Sequence, residues 1–164
     1  DRGAFSQLVR LTMNDIVALT YRMTGDRDTA FDLAQETFVS AWEHLGGFRF
    51  EARFENWLYR IASNKALNHL SRGPVGRTTS LESADIEMAE QADQVSPDRL
   101  LERARLREDV LAFMGQLPPQ QRMVFELRFY KQMDFGEIAA AMGKALGTVK
   151  TNYREAVAEL RLFV

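Results

Sequence analysis

The chain has no cysteine among its 164 residues and only two histidines, His44 and His69. Disulfides and cysteine-based zinc sites are thereby excluded, and a histidine-rich metal centre lacks its ligands. No apolar run reaches the roughly 18 residues that a membrane span needs, so direct membrane insertion is not expected. No secretory leader is visible, because Asp1 opens directly into an amphipathic stretch; with the missing cysteines this makes the cytoplasm the expected compartment. Asp1 in place of an initiator Met points to a processed or trimmed N-terminus. Basic charge is not in excess: the net charge of −2 argues weakly against nucleic acid as a partner. No Ser/His/Asp or Cys/His set is found, and neither a metal-ligand cluster nor a glycine-rich phosphate loop. Catalytic residues, a metal, a cofactor and a small-molecule substrate are therefore all expected to be absent, and the chain does not read as an enzyme. What is present is ordinary for a globular protein: 46% hydrophobic and 27% charged residues.

The distribution of charge says more than its sum. Residues 1–45 carry a net −3, residues 46–79 a net +4, residues 80–98 a net −6 and residues 99–164 a net +3. Two basic segments are thus separated by an acidic stretch with six carboxylates and no cation. Helical periodicity dominates and no strand-like alternation stands out. Helices are expected over Phe5–Thr24, Asp28–Leu45, Phe54–Ser71 and Pro97–Gln116, with four helical stretches between Leu117 and Phe163. Gly25-Asp26 divides the first two, with Asp26 or Asp28 as the N-cap; Gly46-Gly47 ends the second. The breaker-rich run from Gly73 to Ser80 opens an acidic segment without aromatics, which reads as a mobile tether. The expected architecture is all-α: two small helical domains, 1–72 and 97–164, joined by a flexible acidic linker, 73–96, with a helix-turn-helix closing the second domain.

That helix-turn-helix is the most specific signal. Phe135-Gly136-Glu137-Ile138-Ala139-Ala140-Ala141-Met142-Gly143 runs into Leu146-Gly147-Thr148-Val149-Lys150-Thr151-Asn152-Tyr153-Arg154. Ile138 and Met142 share a helix face, Ala139 is small enough for a crossing helix, and Gly143 can take the positive φ of a helix end. Thr148 is read as the N-cap of the last helix. Val149, Tyr153, Ala156 and Leu160 then form its inward stripe, which turns Lys150, Thr151, Arg154 and Glu155 toward whatever the helix reads. The same shape also serves as a plain core element in small helical domains, so taken alone it leaves both meanings open. The helix from Phe54 interleaves apolar residues with Asn56, Tyr59, Arg60, Asn64, Lys65, Asn68 and His69, behind a loop with Phe48, Arg49, Phe50 and Arg53. Aromatics beside cations suit unstacked bases and phosphates; Trp57 and Ile61 are expected to fill core space instead. Asp32, Gln35 and Glu36 line one polar flank of the second helix, which is either a solvated face or a dock for a basic partner.

Both halves resemble a bacterial sigma factor of the extracytoplasmic-function type, the small two-domain branch of the sigma-70 family. The residues that carry this are Tyr21-Arg22-Met23-Thr24-Gly25-Asp26 with Ala30 to Phe38, Phe54 to Asn64, Leu117 to Phe125 and Gly147-Thr148-Val149-Lys150. Two motif sets in the right order are more specific than either alone. The resemblance implies an RNA polymerase subunit that directs promoter-specific initiation and stabilises the melted −10 region. It places Asp32, Gln35 and Glu36 on the polymerase's largest subunit. Phe48, Tyr59 and Asn64 would form a pocket for a base flipped from the −10 element, and Asn68, His69 and Arg72 would contact nearby promoter DNA. Thr148, Lys150, Thr151, Arg154 and Glu155 would face the −35 element. The acidic linker corresponds to a segment that threads polymerase channels otherwise filled by nucleic acid, and an anti-sigma factor is an expected further partner.

The last helix departs from the family in being less basic. Asn152, Glu155 and Val157 stand where Arg is common, so fewer counterions are released and isolated DNA affinity should be low. Glu155 could accept from cytosine N4 and retune the sequence read. Two rival readings remain at the level of sequence: an ordinary helix-turn-helix regulator, which would bind duplex alone, and a sigma-like pair repurposed as a protein-interaction adaptor.

Overall fold

The computed structural model describes residues 1–72 and 96–164. All regular structure among them is helical, with no strand. The flexible acidic linker expected at 73–96 lies, apart from Ser96, outside the described residues.

Helix α1 spans Arg2–Thr24 and begins three residues before the expected Phe5, because the Asp1 carboxylate caps it by accepting from the Gly3 amide. It ends at Gly25, whose φ of 71° would strain any residue with a Cβ. Asp26, not Asp28, caps α2 (Arg27–His44), accepting from the Thr29 amide at 3.2 Å. A 3-10 turn over Leu45–Gly47 and a loop lead to α3 (Phe54–Ser71). Ile16, Leu19 and Met23 of α1 meet Ala30, Ala34 and Ala41 of α2 and Leu58, Ala62 and Ala66 of α3, all fully buried. Alanine at so many contact points lets the three axes approach closely. The buried Thr20 hydroxyl donates to the Ala30 carbonyl at 2.9 Å and ties α1 to the start of α2.

Helix α4 runs Pro97–Gln116 with Pro97 in its first turn, where a missing N–H costs nothing. Helix α5 (Pro119–Phe125) continues without a break into a π-helical turn, Glu126–Tyr130, marked by the Lys131 amide donating to the Glu126 carbonyl at 3.2 Å. Helix α6 (Phe135–Met142) opens with a reciprocal cap: Asp134 accepts from the Glu137 amide, and the Glu137 carboxylate accepts from the Asp134 amide. Gly143, at φ 63°, closes it. Helix α7 (Leu146–Phe163) has its N-cap three residues before the expected Thr148. Ala145, in extended backbone directly after the Gly143 turn, takes the cap position without a side-chain bond, and Thr148 falls inside the first turn. The expected inward stripe of α7 is present: Val149 and Ala156 are fully buried, and Tyr153 and Leu160 pack beside them.

The two helical domains pack against each other. One hydrophobic core runs from Ile16, Leu19, Met23 and Leu58 into Met123, Val124, Leu127, Met133 and Ile138. A second, smaller cluster of Phe113, Met114, Leu117, Phe125 and Ala156 holds α4, α5 and α7 together. The sequence left the mutual placement of the halves open; the structure packs α5 and α6 against α1 and α3.

Candidate polymerase and nucleic-acid interfaces

The α2 flank stands as expected. Asp32, Gln35 and Glu36 are all exposed, while Leu33, Ala34, Thr37 and Phe38 between them are buried. The period of the helix therefore sorts the acidic ridge outward and the apolar stripe inward. Val39 and Trp42 are exposed on the same helix, and the Trp42 ring rests 5.0 Å from Phe5. These apolar side chains beside an acidic ridge give a partner something to bury as well as something to pair with. Helical spacing allows Leu33, Phe38, Ala41 and also Trp42 on the buried face; the first three are buried and Trp42 is not.

The α7 ridge is equally open. Thr148, Lys150, Thr151, Arg154 and Glu155 are all exposed. The Glu155 carboxylate accepts from the Gln121 amide of α5 at 2.8 Å, which holds an acceptor in the middle of a face that also presents two cations.

The α3 region differs. Phe48 is half-buried in an aromatic group, with ring centroids 4.7 Å from Phe50, 5.8 Å from Phe54 and 5.2 Å from Trp57. Phe50 is 86% exposed and sits at φ 55°, a left-handed conformation that a bulky residue adopts at a cost. Tyr59, by contrast, is 8% exposed. The Lys131 ammonium lies 4.6 Å from its ring centroid, and burial, reinforced by the Asp15 and Glu55 carboxylates, pushes its phenol up to about 12. Burial likewise pulls the Lys131 ammonium below its ordinary value. The Asn64 side-chain amide donates to the Ala141 carbonyl at 3.3 Å, at the end of α6. Asn68 and Arg72 are exposed and His69 is half-buried in the last turn. Phe48, Tyr59 and Asn64 thus have separate immediate neighbours: aromatic rings, Lys131 and the Ala141 carbonyl. Tyr59 and Asn64 are five residues apart, about 140° around a helix with 3.6 residues per turn. Of the two side chains expected to fill core space, Trp57 and Ile61 both pack against the main cluster.

The polar groups that join the halves were missed in the sequence. Arg22 of α1 forms a two-pronged pair with Glu126, Nε and Nη2 each 2.7 Å from a carboxylate oxygen, and Glu126 is fully buried. The Arg22 guanidinium also lies 3.9 Å from the Tyr130 ring centroid. Burial alone would lower the Arg22 guanidinium; the hydrogen bonds and charge of Glu126 more than reverse this and leave it above its ordinary value. Arg122 reaches the other way. It donates to the Met23 carbonyl at the end of α1 and to the Leu117 carbonyl at 2.9 Å, so one guanidinium closes two helix ends. The signal that could have exposed this is a carboxylate inside an apolar run, Met123-Val124-Phe125-Glu126-Leu127.

Comparison with known proteins meets this geometry at both ends of the chain. The family profile described as sigma-70 region 2 matches residues 8–73, and that described as sigma-70, region 4 matches residues 107–160. The RNA polymerase sigma-H factor of Pseudomonas aeruginosa is 35% identical over 165 residues, spanning 96% of this chain and 86% of that protein. This chain belongs to the extracytoplasmic-function branch of the sigma-70 family. The ECF RNA polymerase sigma-E factor of Escherichia coli K12 is 33% identical, with 96% of this chain and 86% of that protein covered. Among solved structures, CnrH in complex with the cytosolic domain of CnrY is similar at 25% identity and a TM-score of 0.68, covering 99% of this chain and 88% of that one. The sigma factor RpoE of Bartonella quintana, solved in complex with the anti-sigma factor NepR, shares the fold at a TM-score of 0.72 and 23% identity, with 98% and 96% covered. As a sigma factor the chain is a promoter-recognising initiation subunit. Its α1–α3 half falls in the region 2 match, and its helix-turn-helix in the region 4 match.

Proposed function

We propose that the two halves divide the work of promoter recognition: residues 1–72 dock on core polymerase and capture the −10 element, residues 97–164 read the −35 element, and residues 73–96 connect them. The carrying observation is a pair of exposed polar ridges, acidic on α2 and mixed on α7, within the segments matching sigma-70 regions 2 and 4. Asp32, Gln35 and Glu36 would meet the polymerase. Phe48, Tyr59, Asn64, Asn68, His69 and Arg72 would meet the melted −10 strand, and holding an extruded base lowers the free energy of the open duplex without ATP. Thr148, Lys150, Thr151, Arg154 and Glu155 would set position on duplex DNA. On this reading the protein binds rather than catalyses, uses no cofactor and acts where the polymerase is, in the cytoplasm. An anti-sigma factor is a further partner; CnrH, similar in fold, is solved with the cytosolic domain of CnrY.

In-vitro transcription with purified core polymerase tests the division. Asn64→Ala is expected to impair promoter opening and to leave polymerase binding intact. Glu36→Lys is expected to weaken polymerase binding by about tenfold or more, as reversing a charge at a complementary interface does. Wild-type docking by Glu36→Lys would remove the α2 assignment.

A further inference from the structure

The exposed ridge of α7 carries a side chain that another element holds in place. Thr148, Thr151 and Glu155 fall on one line of the helix, at spacings of three and four, and Lys150 and Arg154 on the line beside it. The Glu155 carboxylate accepts, through Oε2, from the Gln121 side-chain amide of α5 at 2.8 Å. Both residues belong to the second half, so the bond crosses no part of the seam where the two halves close.

This bond is not what docks α5 on α7. Phe125 and Ala156 are buried in one cluster, with the Phe125 and Tyr153 ring centroids 6.3 Å apart, and Val124 and Val149 are buried in the main core. Glu155 directly precedes the fully buried Ala156, and Arg122, next to Gln121, donates to the Leu117 carbonyl at 2.9 Å. Both backbones are therefore anchored already. Between them, a bond from a long amide to a long carboxylate adds little packing and mainly restricts rotamers that an exposed glutamate would otherwise sample. The nature of the holding group matters as well. An amide is neutral, so the carboxylate keeps its charge, whereas a lysine or arginine in the same place would cancel it. A carboxylate has about four lone-pair sites, so acceptor capacity remains for a donor on DNA. In the major groove cytosine presents the N4 amine alone, and adenine an N6 amine beside the N7 acceptor; guanine and thymine present acceptors. A fixed carboxylate is attracted by the first, partly repelled by the second and repelled by the other two.

We propose that Gln121 is a positioning residue for base recognition: it holds Glu155 as a rigid, still-charged acceptor that selects cytosine N4 at one position of the −35 element and rejects guanine and thymine there. Gln121 acts through Glu155 and not on the base. The proposal rests on the reading of α7 as the helix that meets duplex DNA.

The test uses holoenzyme assembled with core polymerase and a promoter library randomised over the −35 element, with the bound fraction sequenced. The wild type is expected to enrich cytosine at one position. Gln121→Leu, which keeps the bulk and removes the donor, is expected to lower that enrichment about tenfold. Preferences at the other positions, the salt dependence of binding and the helical circular dichroism should not change. Should Gln121→Leu lose helicity, Gln121→Asn, one methylene too short to reach Glu155, carries the same expectation. Glu155→Gln is expected to move the preference at the same position to adenine, since a carboxamide pairs with adenine N6 and N7. In a Glu155→Ala background Gln121→Leu should change nothing further, as for two residues that act as a unit. Undiminished cytosine enrichment in the folded Gln121 variant would overturn the positioning role. So would a loss of binding equal for all sequences, which is what a plain strut between α5 and α7 predicts. Unaltered preferences in Glu155→Gln would remove Glu155 as the base reader. A wild type that selects no base anywhere in the −35 element would instead overturn the reading of α7 on which the proposal rests.

Discussion

Helices α3 and α7 are both 18 residues long, both lie in segments that face DNA in the proposed function, and they end in opposite states. The α7 stripe is narrow: Val149, Tyr153, Ala156 and Leu160 pack inward, and Lys150, Thr151, Arg154 and Glu155 are left to solvent. Around α3 the apolar surface is wider. Leu58, Tyr59, Ala62 and Ala66 join the core, and Phe54, Trp57, Ile61, Leu67 and Leu70 pack partly against it. A helix with one apolar stripe needs one neighbour; a helix that is apolar over most of its girth needs two. In this sigma factor the second neighbour of α3 is the chain's own α5–α6 unit. The difference teaches that a helix apolar over this much of its girth is costly to leave wet, so the chain covers it with its own second half.

The largest expected effect on this contrast comes from removing one member of the buried pair. Arg22→Ala leaves Glu126 as an uncompensated charge, and losses of about 3–5 kcal/mol are typical for such changes. Hydrogen exchange should report it as lost protection along α3 and α6, with the core of α1 and α2 much less affected. Equal loss throughout would mean that the halves unfold as one unit and that the contrast is not conformational. High pH should act in the same direction. Burial raises the phenols of Tyr59, to about 12, and Tyr130 above their ordinary value near 10. A group whose folded value is raised contributes its full stabilisation below the unfolded value and loses it as pH climbs through the folded one. The seam should therefore be intact up to about pH 10 and weaken toward pH 12, read by tyrosinate absorbance against small-angle scattering. Tyr59→Phe, which keeps the ring and removes the titrating group, should blunt the response.

On the open side of the comparison, Lys150→Ala or Arg154→Ala should weaken duplex binding and lower the slope of log affinity against log salt by about one each, if each neutralises one phosphate. Neither should change compactness; a change in compactness would show that α7 also takes part in closure. The isolated segment 97–164 should bind duplex weakly, since two cations on that ridge release few counterions. The smallest effect is expected at the α6 cap. The hydrogen bond donated by the Glu137 backbone amide holds the Asp134 carboxyl below its ordinary value. Its contribution is thus present above about pH 3.8 and lost as pH falls through the lower folded value. Asp134→Ala should lower the melting temperature slightly at neutral pH and not at all in strong acid.

Much of this was legible in the sequence because it is local. Gly25 and Gly143 end helices, Asp26 is one of the two caps open for the second helix, and the spacing of Val149, Tyr153, Ala156 and Leu160 decides which side of α7 is wet. Asp32, Gln35 and Glu36 could be placed on one ridge by the same arithmetic. Thr148 misled because a good capping residue lay near a helix whose N-cap the Gly143 turn had already set three residues earlier, at Ala145. Arg22 and Glu126 could not be paired in advance, since 104 residues separate them and neither periodicity nor turn chemistry reaches that far.

The sequence by itself determined the family, the all-helical composition of the described residues, and the polar ridges of α2 and α7, for each follows from contacts within a few turns of one helix. Only the tertiary structure decided that Tyr59 and Asn64 are covered while Lys150 and Arg154 are not. That outcome depends on which distant surfaces bury each other, and such a choice is made by the summed packing of Met23, Met123, Val124 and Leu127 around a buried ion pair.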